Sequence, residues 1–256
     1  MFDSGVGGLS VYDALRQALP DAPIIYAADL AGLPYGTKSE KQIATRVAGL
    51  LGRMSERYQP RLACIACNTA STIALGMVRE VLEIPVVGTV PAIKPAALAT
   101  RSGNIGLIGT EATIRQAYVD DLERDFADGK QLFRIAAPGL VEVAEAKLRG
   151  QRIDMAVLSK AADALKALSG GKSIDTIVLA CTHFPLLADE LAEVFSERVQ
   201  LIDGAAGIAR RIAHLVEGQA MTATSASRFV VTGPLAAAQG LEQALAKRGF
   251  NPAEAF

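Results

Sequence analysis

The chain has 256 residues, half of them hydrophobic and none in a Pro- or Ser-rich tract, so it can bury one large core or two modest ones. Twenty-six basic residues against twenty-seven acidic ones, with no Lys/Arg block, argue against a nucleic-acid backbone or an anionic membrane as partner and leave a small-molecule ligand. No apolar stretch approaches the roughly 18 residues needed to span a bilayer and no signal-type segment opens the chain, so a cytoplasmic location is expected.

In chain order, "FDSGVGG" comes first, with only Met1 and Phe2 ahead of Asp3. The strand it implies is short. Its "GVGGLS" falls short of the dinucleotide fingerprint, but the glycines let the backbone approach a ligand at a helix start, which suits a carboxylate better. A buried strand, "PIIYAA" from residue 23, leads to the turn "LPYGTKS" at 33–39, where Tyr35 offers a hydroxyl and Gly36 a bare backbone N–H. Helical periodicity then runs from Ser39 to Tyr58.

Further strands are predicted at "LACIA" from 62, "IPVVG" from 84, "NIGLIG" from 104, "LFRIAA" from 132, "TIVLA" from 176, "VQLID" from 199 and "FVVT" from 229. Helices are expected over Thr113 to Phe126 and Arg152 to Leu168, and "GIARRIAHLVEG" reads as an amphipathic helix carrying His214. The alternation indicates an α/β fold of mainly parallel sheets, whose strand carboxyl ends face the ligand crevice. The segment "SGGKS" at 169–173 imitates a phosphate loop, but residue 166 is Lys where the first Gly belongs, so it is a helix-ending turn.

Two strand ends are unusual, because "LACIACNTAS" breaks off at Cys67 and "TIVLACTHFP" at Cys181. One plan is used twice: an early strand delivers Asp3 and Ser4 and a later one Cys67, then an early strand delivers Thr110 and a later one Cys181. Two similar lobes would bring both thiols to one cleft. A single Cys ending an apolar run is ordinary core, but two on matching ends, each followed by small polar residues suited to a helix start, are expected to have their pKa pulled below about 8.5.

Three cysteines, an odd number in a long chain, fit free thiols better than a disulfide scaffold. Cys64 and Cys67 have the CxxC spacing, yet residues three apart in a strand face opposite ways and lie about 10 Å apart, beyond the roughly 7 Å that a bridge tolerates. Cys64 is therefore a small buried hydrophobe. Cys64, Cys67, Cys181 and His183 carry the right atoms for zinc but not the spacing of a ribbon or finger. His183, two residues from a thiol, is an acid–base candidate, whereas His214 is structural.

Together, "FDSGVGGLSV", "PYGTKS", "ACNTAS", "GTVPAIKPA", "IGTEAT", "ACTHFPLL" and "IDGAAGIARR", in order from residue 2 to about 211, resemble the glutamate racemases of the cofactor-independent aspartate/glutamate racemase family. The resemblance implies two pseudo-symmetric α/β lobes with the active site between them, here residues 1–91 with 205–256, and 92–204. It implies interconversion of L- and D-glutamate for peptidoglycan, with no metal, no pyridoxal phosphate and, as relatives suggest, a homodimer. Cys67 would serve D-glutamate and Cys181 L-glutamate, with Asp3 assisting the first, and His183 and Glu145 the second. Ser4, Pro34, Tyr35, Gly36, Asn68, Thr69, Thr110 and Thr182 would bind substrate. In "LVEVAE", which departs from the family's usual run, Glu142 rivals Glu145, and where members carry several apolar residues before "FDSG" this chain has only Met1 and Phe2, so the resemblance implies a weaker sheet and a less firmly held Asp3. Some relatives sense a cell-wall precursor through a long N-terminal extension absent here, so no such activation is expected. A sister enzyme directed to aspartate or another acidic amino acid and an inactive amino-acid-binding protein are the alternatives.

Overall fold

The computed structural model describes residues 1–196, 198–221 and 226–256. Its strands form two separate parallel sheets. The first is ordered β10-β9-β2-β1-β3-β4, drawing on β1 (Phe2–Asp3), β2 (Ile25–Ala28), β3 (Ala63–Ile65), β4 (Val86–Gly88), β9 (Arg228–Val231) and β10 (Glu254–Ala255). The second is ordered β6-β5-β7-β8, from β5 (Asn104–Gly109), β6 (Gln131–Ala136), β7 (Thr176–Ala180) and β8 (Gln200–Ile202). The two sheets repeat one relation: β1 neighbours β3, and β5 neighbours β7.

Helices fill the crossovers: α1 (Leu9–Ala18), α2 (Glu40–Tyr58), α3 (Asn68–Val81), α4 (Ile93–Ala99), α5 (Glu111–Ile114), α6 (Ala117–Phe126), α7 (Gly139–Leu148), α8 (Met155–Lys166), α9 (Ala188–Phe195), α10 (Ala205–Leu215) and α11 (Glu242–Ala246). Each sheet is covered on both faces, which is why its strands read as near-continuous apolar runs. In the first, Leu9, Tyr12, Ile208 and Ile212 of α1 and α10 pack one face, and Ile43, Val47, Leu51, Ala74 and Val78 of α2 and α3 the other. In the second, α7, α8 and α9 supply Leu140, Leu158 and Leu191 to one face, opposite Ile93 and Val119 of α4 and α6. The long α2 starts where Ser39 and Gln42 form a reciprocal capping box.

The eight longer strands lie where their apolar runs place them. The continuous helix expected over Thr113 to Phe126 is instead two, α5 and α6, separated at Arg115 and Gln116. Its start is also earlier: Thr110 caps α5, its hydroxyl accepting from the Thr113 N–H at 3.2 Å. The expected weak hold on Asp3 is overturned, because β1 pairs on both sides and Asp3 is wholly buried. Its Oδ2 accepts from the Gly8 N–H at 3.0 Å and the Tyr26 hydroxyl at 3.1 Å. "SGGKS" is a turn after α8, closed by a 3-10 segment at Gly171–Ser173.

A cavity of about 410 Å³, lined by Met1, Ile25, Met54, Tyr58 and Cys64 among others, opens at the amino ends of β1 to β3, away from the thiol ends. No helix among the described residues is long and apolar enough to cross a membrane.

Candidate active site

Cys67 follows β3 and is the N-cap of α3, its sulfur accepting from the Ala70 N–H at 3.4 Å. Ser4, just past β1, places its hydroxyl 3.4 Å from the same sulfur. The expectation of a depressed thiol fails here. Burial foremost, and then the charge of Asp3, push the Cys67 thiol up to about 12 against the pull of Ser4 and Ala70. Desolvation of a thiol that is only 5% exposed outweighs one N–H and a helix end.

Cys181 follows β7 and is 7% exposed. It does not begin an α-helix as expected: the Phe184 N–H donates to the Cys181 carbonyl, a 3-10 segment spans Phe184–Leu187 with Pro185 near its start, and α9 begins only at Ala188. What this tighter turn achieves is to fold His183 back, with its Nδ1 3.8 Å from Cys181 Sγ and its Nε2 3.2 Å from Glu145 Oε1. Glu145 lies on α7 and is mostly covered, whereas Glu142 one turn earlier is exposed. Burial alone would lower the His183 pKa, but the hydrogen bonds to Cys181 and Glu145 and the charges of Cys181 and Asp3 overcome it and raise it to about 10. Glu145 is correspondingly held below the usual carboxylate range: burial opposes this, and His183 and Arg149 prevail. Asp3 is shifted the other way, upward, because burial exceeds the help from His183, Gly8 and Tyr26.

The two sites meet across the lobes. His183 lies against the glycine loop of the first sheet, so that a Cβ on Gly7 would fall 2.7 Å from both His183 Cγ and its backbone nitrogen. Thr69 on α3 reaches Thr110 at 3.0 Å and Thr113 at 3.3 Å beyond β5. The Ser10 hydroxyl donates to the Thr182 carbonyl at 2.9 Å. Cys67 also feels the charge of Cys181. Asn68 is buried with an Oδ1 that has no partner. A Cβ on Gly36 would fall 3.5 Å from Thr110 Cβ, bringing the turn at 33–39 to the same cleft.

The turn places its two candidate residues differently. Pro34 is exposed, and the Tyr35 hydroxyl is not free, since it donates to Asp29 Oδ2 at 2.6 Å while Arg46 and Thr232 hold the same carboxylate. Cys64 is buried on the opposite face from Cys67, in the core with α1 and α10, and all three cysteines are free. His214 is exposed beside Glu217, outside the cleft. Among the described residues, no group of three or more His, Cys, Asp or Glu is placed to hold a metal.

Sequence reasoning missed Tyr26, which pins Asp3, and Arg149, which holds the far oxygen of Glu145. Arg149 had a signal in its spacing, four residues after Glu145 on one helix face. Tyr26 had none, because only the parallel pairing of β1 with β2 brings it to Asp3.

Two outcomes follow from this packing. Gly7→Ala is expected to destabilise the chain by about 1–3 kcal/mol, as overpacking does, and to cut activity by displacing His183; chemical denaturation and steady-state rates check both. The pH dependence of stability has a defined sign. A His whose pKa is about 10 when folded and about 6.5 when unfolded contributes fully below about pH 6.5 and loses that contribution as pH rises through the folded value. Cys67, and Cys64 pushed up to about 11 chiefly by burial, add to the loss only above roughly pH 8.5, the unfolded thiol value. The buried Met1 ammonium, whose pKa burial lowers, acts in the opposite direction but is common to both chains, so between about pH 6.5 and 8.5 the melting temperature of the unaltered chain should fall relative to that of His183→Asn.

Comparison with known proteins agrees with the two-sheet α/β fold. The family model described as Asp/Glu/Hydantoin racemase matches residues 7–212. The glutamate racemase of Sphingopyxis alaskensis is 62% identical over 230 residues, covering 90% of this chain and 86% of the relative. Among solved structures, Escherichia coli glutamate racemase in complex with L-glutamate and the activator UDP-MurNAc-ala superposes with a TM-score of 0.94 at 42% identity, covering 100% of this chain and 96% of that one. The glutamate racemase isoform RacE1 of Bacillus anthracis gives 0.84 at 26% identity, covering 100% and 95%.

Proposed function

This chain belongs to the Asp/Glu/Hydantoin racemase family, and from that premise we propose that it is an isomerase interconverting L- and D-glutamate by proton transfer at Cα between Cys67 and Cys181. The observation that carries the reading is the pair of buried free thiols on corresponding strand ends of two parallel sheets, each with its own polar partners at one cleft. Inversion requires a base on one face of Cα and an acid on the other, and two such thiols meet that need without a cofactor.

At neutral pH, Cys67, with its pKa pushed up to about 12, holds its proton and is set to donate. Protonated His183 puts a cation near Cys181 Sγ, where it stabilises thiolate charge. Cys181 as thiolate takes the Cα proton of L-glutamate, and Cys67 delivers its own proton to the opposite face. That leaves D-glutamate, a Cys181 thiol and a Cys67 thiolate, and the reverse reaction starts from this state with Asp3 and Ser4 beside Cys67. The Asn68 Oδ1 that lacks a partner accepts from the substrate ammonium. The hydroxyls of Thr69 and Thr110, the backbone of Gly36 and Thr182 hold the carboxylates in a dry pocket.

We place the lobes at residues 1–91 with 205–256, and 92–204; the support is that each sheet draws its strands from one of these sets. With both sulfurs nearly covered, substrate enters when the lobes part. The product would supply D-glutamate for peptidoglycan. The test is incubation in D₂O without added cofactor: deuterium should enter Cα of L- and D-glutamate with inversion. Inert substrate would leave an amino-acid-binding protein, and exchange on aspartate alone would leave the sister enzyme.

A further inference from the structure

The last turn of α7 belongs to the second lobe by sequence but is seated on the first. Leu148 packs against the core between the first sheet and helices α1 and α10. Arg149, the residue that ends α7, extends an Nη2 to 3.4 Å from the Ala237 carbonyl, in the 3-10 segment Leu235–Ala238 beyond β9. Its aliphatic stem lies on Gly240, whose φ of +84° favours glycine and where a Cβ would fall 3.3 Å from Arg149 Cγ. The same guanidinium holds Glu145: Nη1 donates to Oε2, and also to the Glu145 carbonyl at 3.2 Å. The other carboxylate oxygen, Oε1, is the one that faces His183 at 3.2 Å.

We propose that Arg149 is a positioning residue that couples contact between the lobes to the orientation of Glu145 and, through it, of His183 against Cys181. The inference rests on the two-thiol reading. A mostly buried carboxylate needs partners for both oxygens, and Arg149 fixes the outer one so that the inner one points at the imidazole. When the lobes part to admit substrate, Arg149 loses the Ala237 carbonyl and its seat on Gly240, and the grip on Glu145 loosens. The acid–base partner of Cys181 is then complete only in the closed molecule, around bound substrate.

The experiment compares the unaltered chain with Arg149→Met, which keeps the aliphatic packing and removes the charge, and with Arg149→Lys, which restores a cation able to reach Glu145. Steady-state racemisation of L-glutamate should show kcat falling roughly ten-fold or more in Arg149→Met, with KM changed less than about three-fold, and recovery of most of kcat in Arg149→Lys. Circular dichroism melts report whether each variant folds; if Arg149→Met does not, Arg149→Gln is read by the same criterion. A kcat within about two-fold of the unaltered chain, a loss confined to KM, or an Arg149→Lys chain no better than Arg149→Met would overturn the proposal. An inactive unaltered chain would sink the two-thiol reading and this inference with it, whereas an active one beside an equally active Arg149→Met chain sinks this inference alone.

Discussion

Cys67→Ser and Cys181→Ser should each lower racemisation by roughly 10³-fold or more, because an alcohol is a far poorer base than a thiolate near neutral pH. For Cys67 the loss would not come from unfolding. Serine is among the best N-cap residues, and its oxygen can accept the Ala70 N–H that Cys67 Sγ accepts now. The two variants are distinguished by isotope exchange. Enantiomers have equal free energy, so the equilibrium constant is unity and kcat/KM must fall equally in both directions for any variant; rates alone cannot tell the two thiols apart. Exchange without inversion can. With Cys67 replaced, Cys181 still removes the proton of L-glutamate and returns a solvent-derived one to the same face, so deuterium should wash into L-glutamate much faster than into D-glutamate. Cys181→Ser should show the opposite preference. Cys64→Ser, in the core with α1 and α10, should leave kcat unchanged while costing about 1–3 kcal/mol for a buried hydroxyl without a partner. Equal exchange into both enantiomers in either of the first two variants would refute the assignment of one thiol to each face.

The features legible in the sequence were those carried by local pattern. Apolar runs such as Asn104–Gly109 and Thr176–Ala180 could be read directly, since strands buried on both faces have no polar side to interrupt them. The strand Glu254–Ala255 could not, because two residues at a sheet edge bury too little to leave a pattern. The break between α5 and α6 was hidden because Arg115 and Gln116 are acceptable helix formers, and it is the Thr69, Thr110 and Thr113 hydroxyl cluster, formed across the lobes, that holds α5 in place. The thiols were visible as strand ends, but their environment was not. Burial of Cys67 comes from packing of segments distant in the sequence, and it reverses the shift that the helix start alone would give. Tyr35 shows the same limit: its hydroxyl reads as a ligand group until the fold brings Asp29 to it.

His183→Asn should lower kcat by roughly 10²-fold, within the range that general acid–base catalysis contributes. The imidazole bridges Cys181 Sγ and Glu145 Oε1, and with its pKa raised to about 10 it carries a proton at neutral pH. Asparagine retains a hydrogen-bonding amide of smaller reach but has no charge, so the thiolate on that side loses the nearby cation while Arg149 still holds Glu145. The defect is therefore one-sided in mechanism even though kcat/KM must fall alike for both enantiomers. Deuterium exchange into L-glutamate, which depends on Cys181, should slow about as much as racemisation, whereas exchange into D-glutamate through Cys67 should be nearly preserved. Asp3→Asn should act on the other side, changing exchange into D-glutamate through Cys67 and nearly preserving exchange into L-glutamate, because it removes a charge that disfavours the Cys67 thiolate while the Gly8 and Tyr26 donors can still find the asparagine oxygen. The pairing of the two patterns carries the argument: if both variants change exchange into the same enantiomer, His183 and Asp3 serve one thiol together and the two-sided division of labour is wrong.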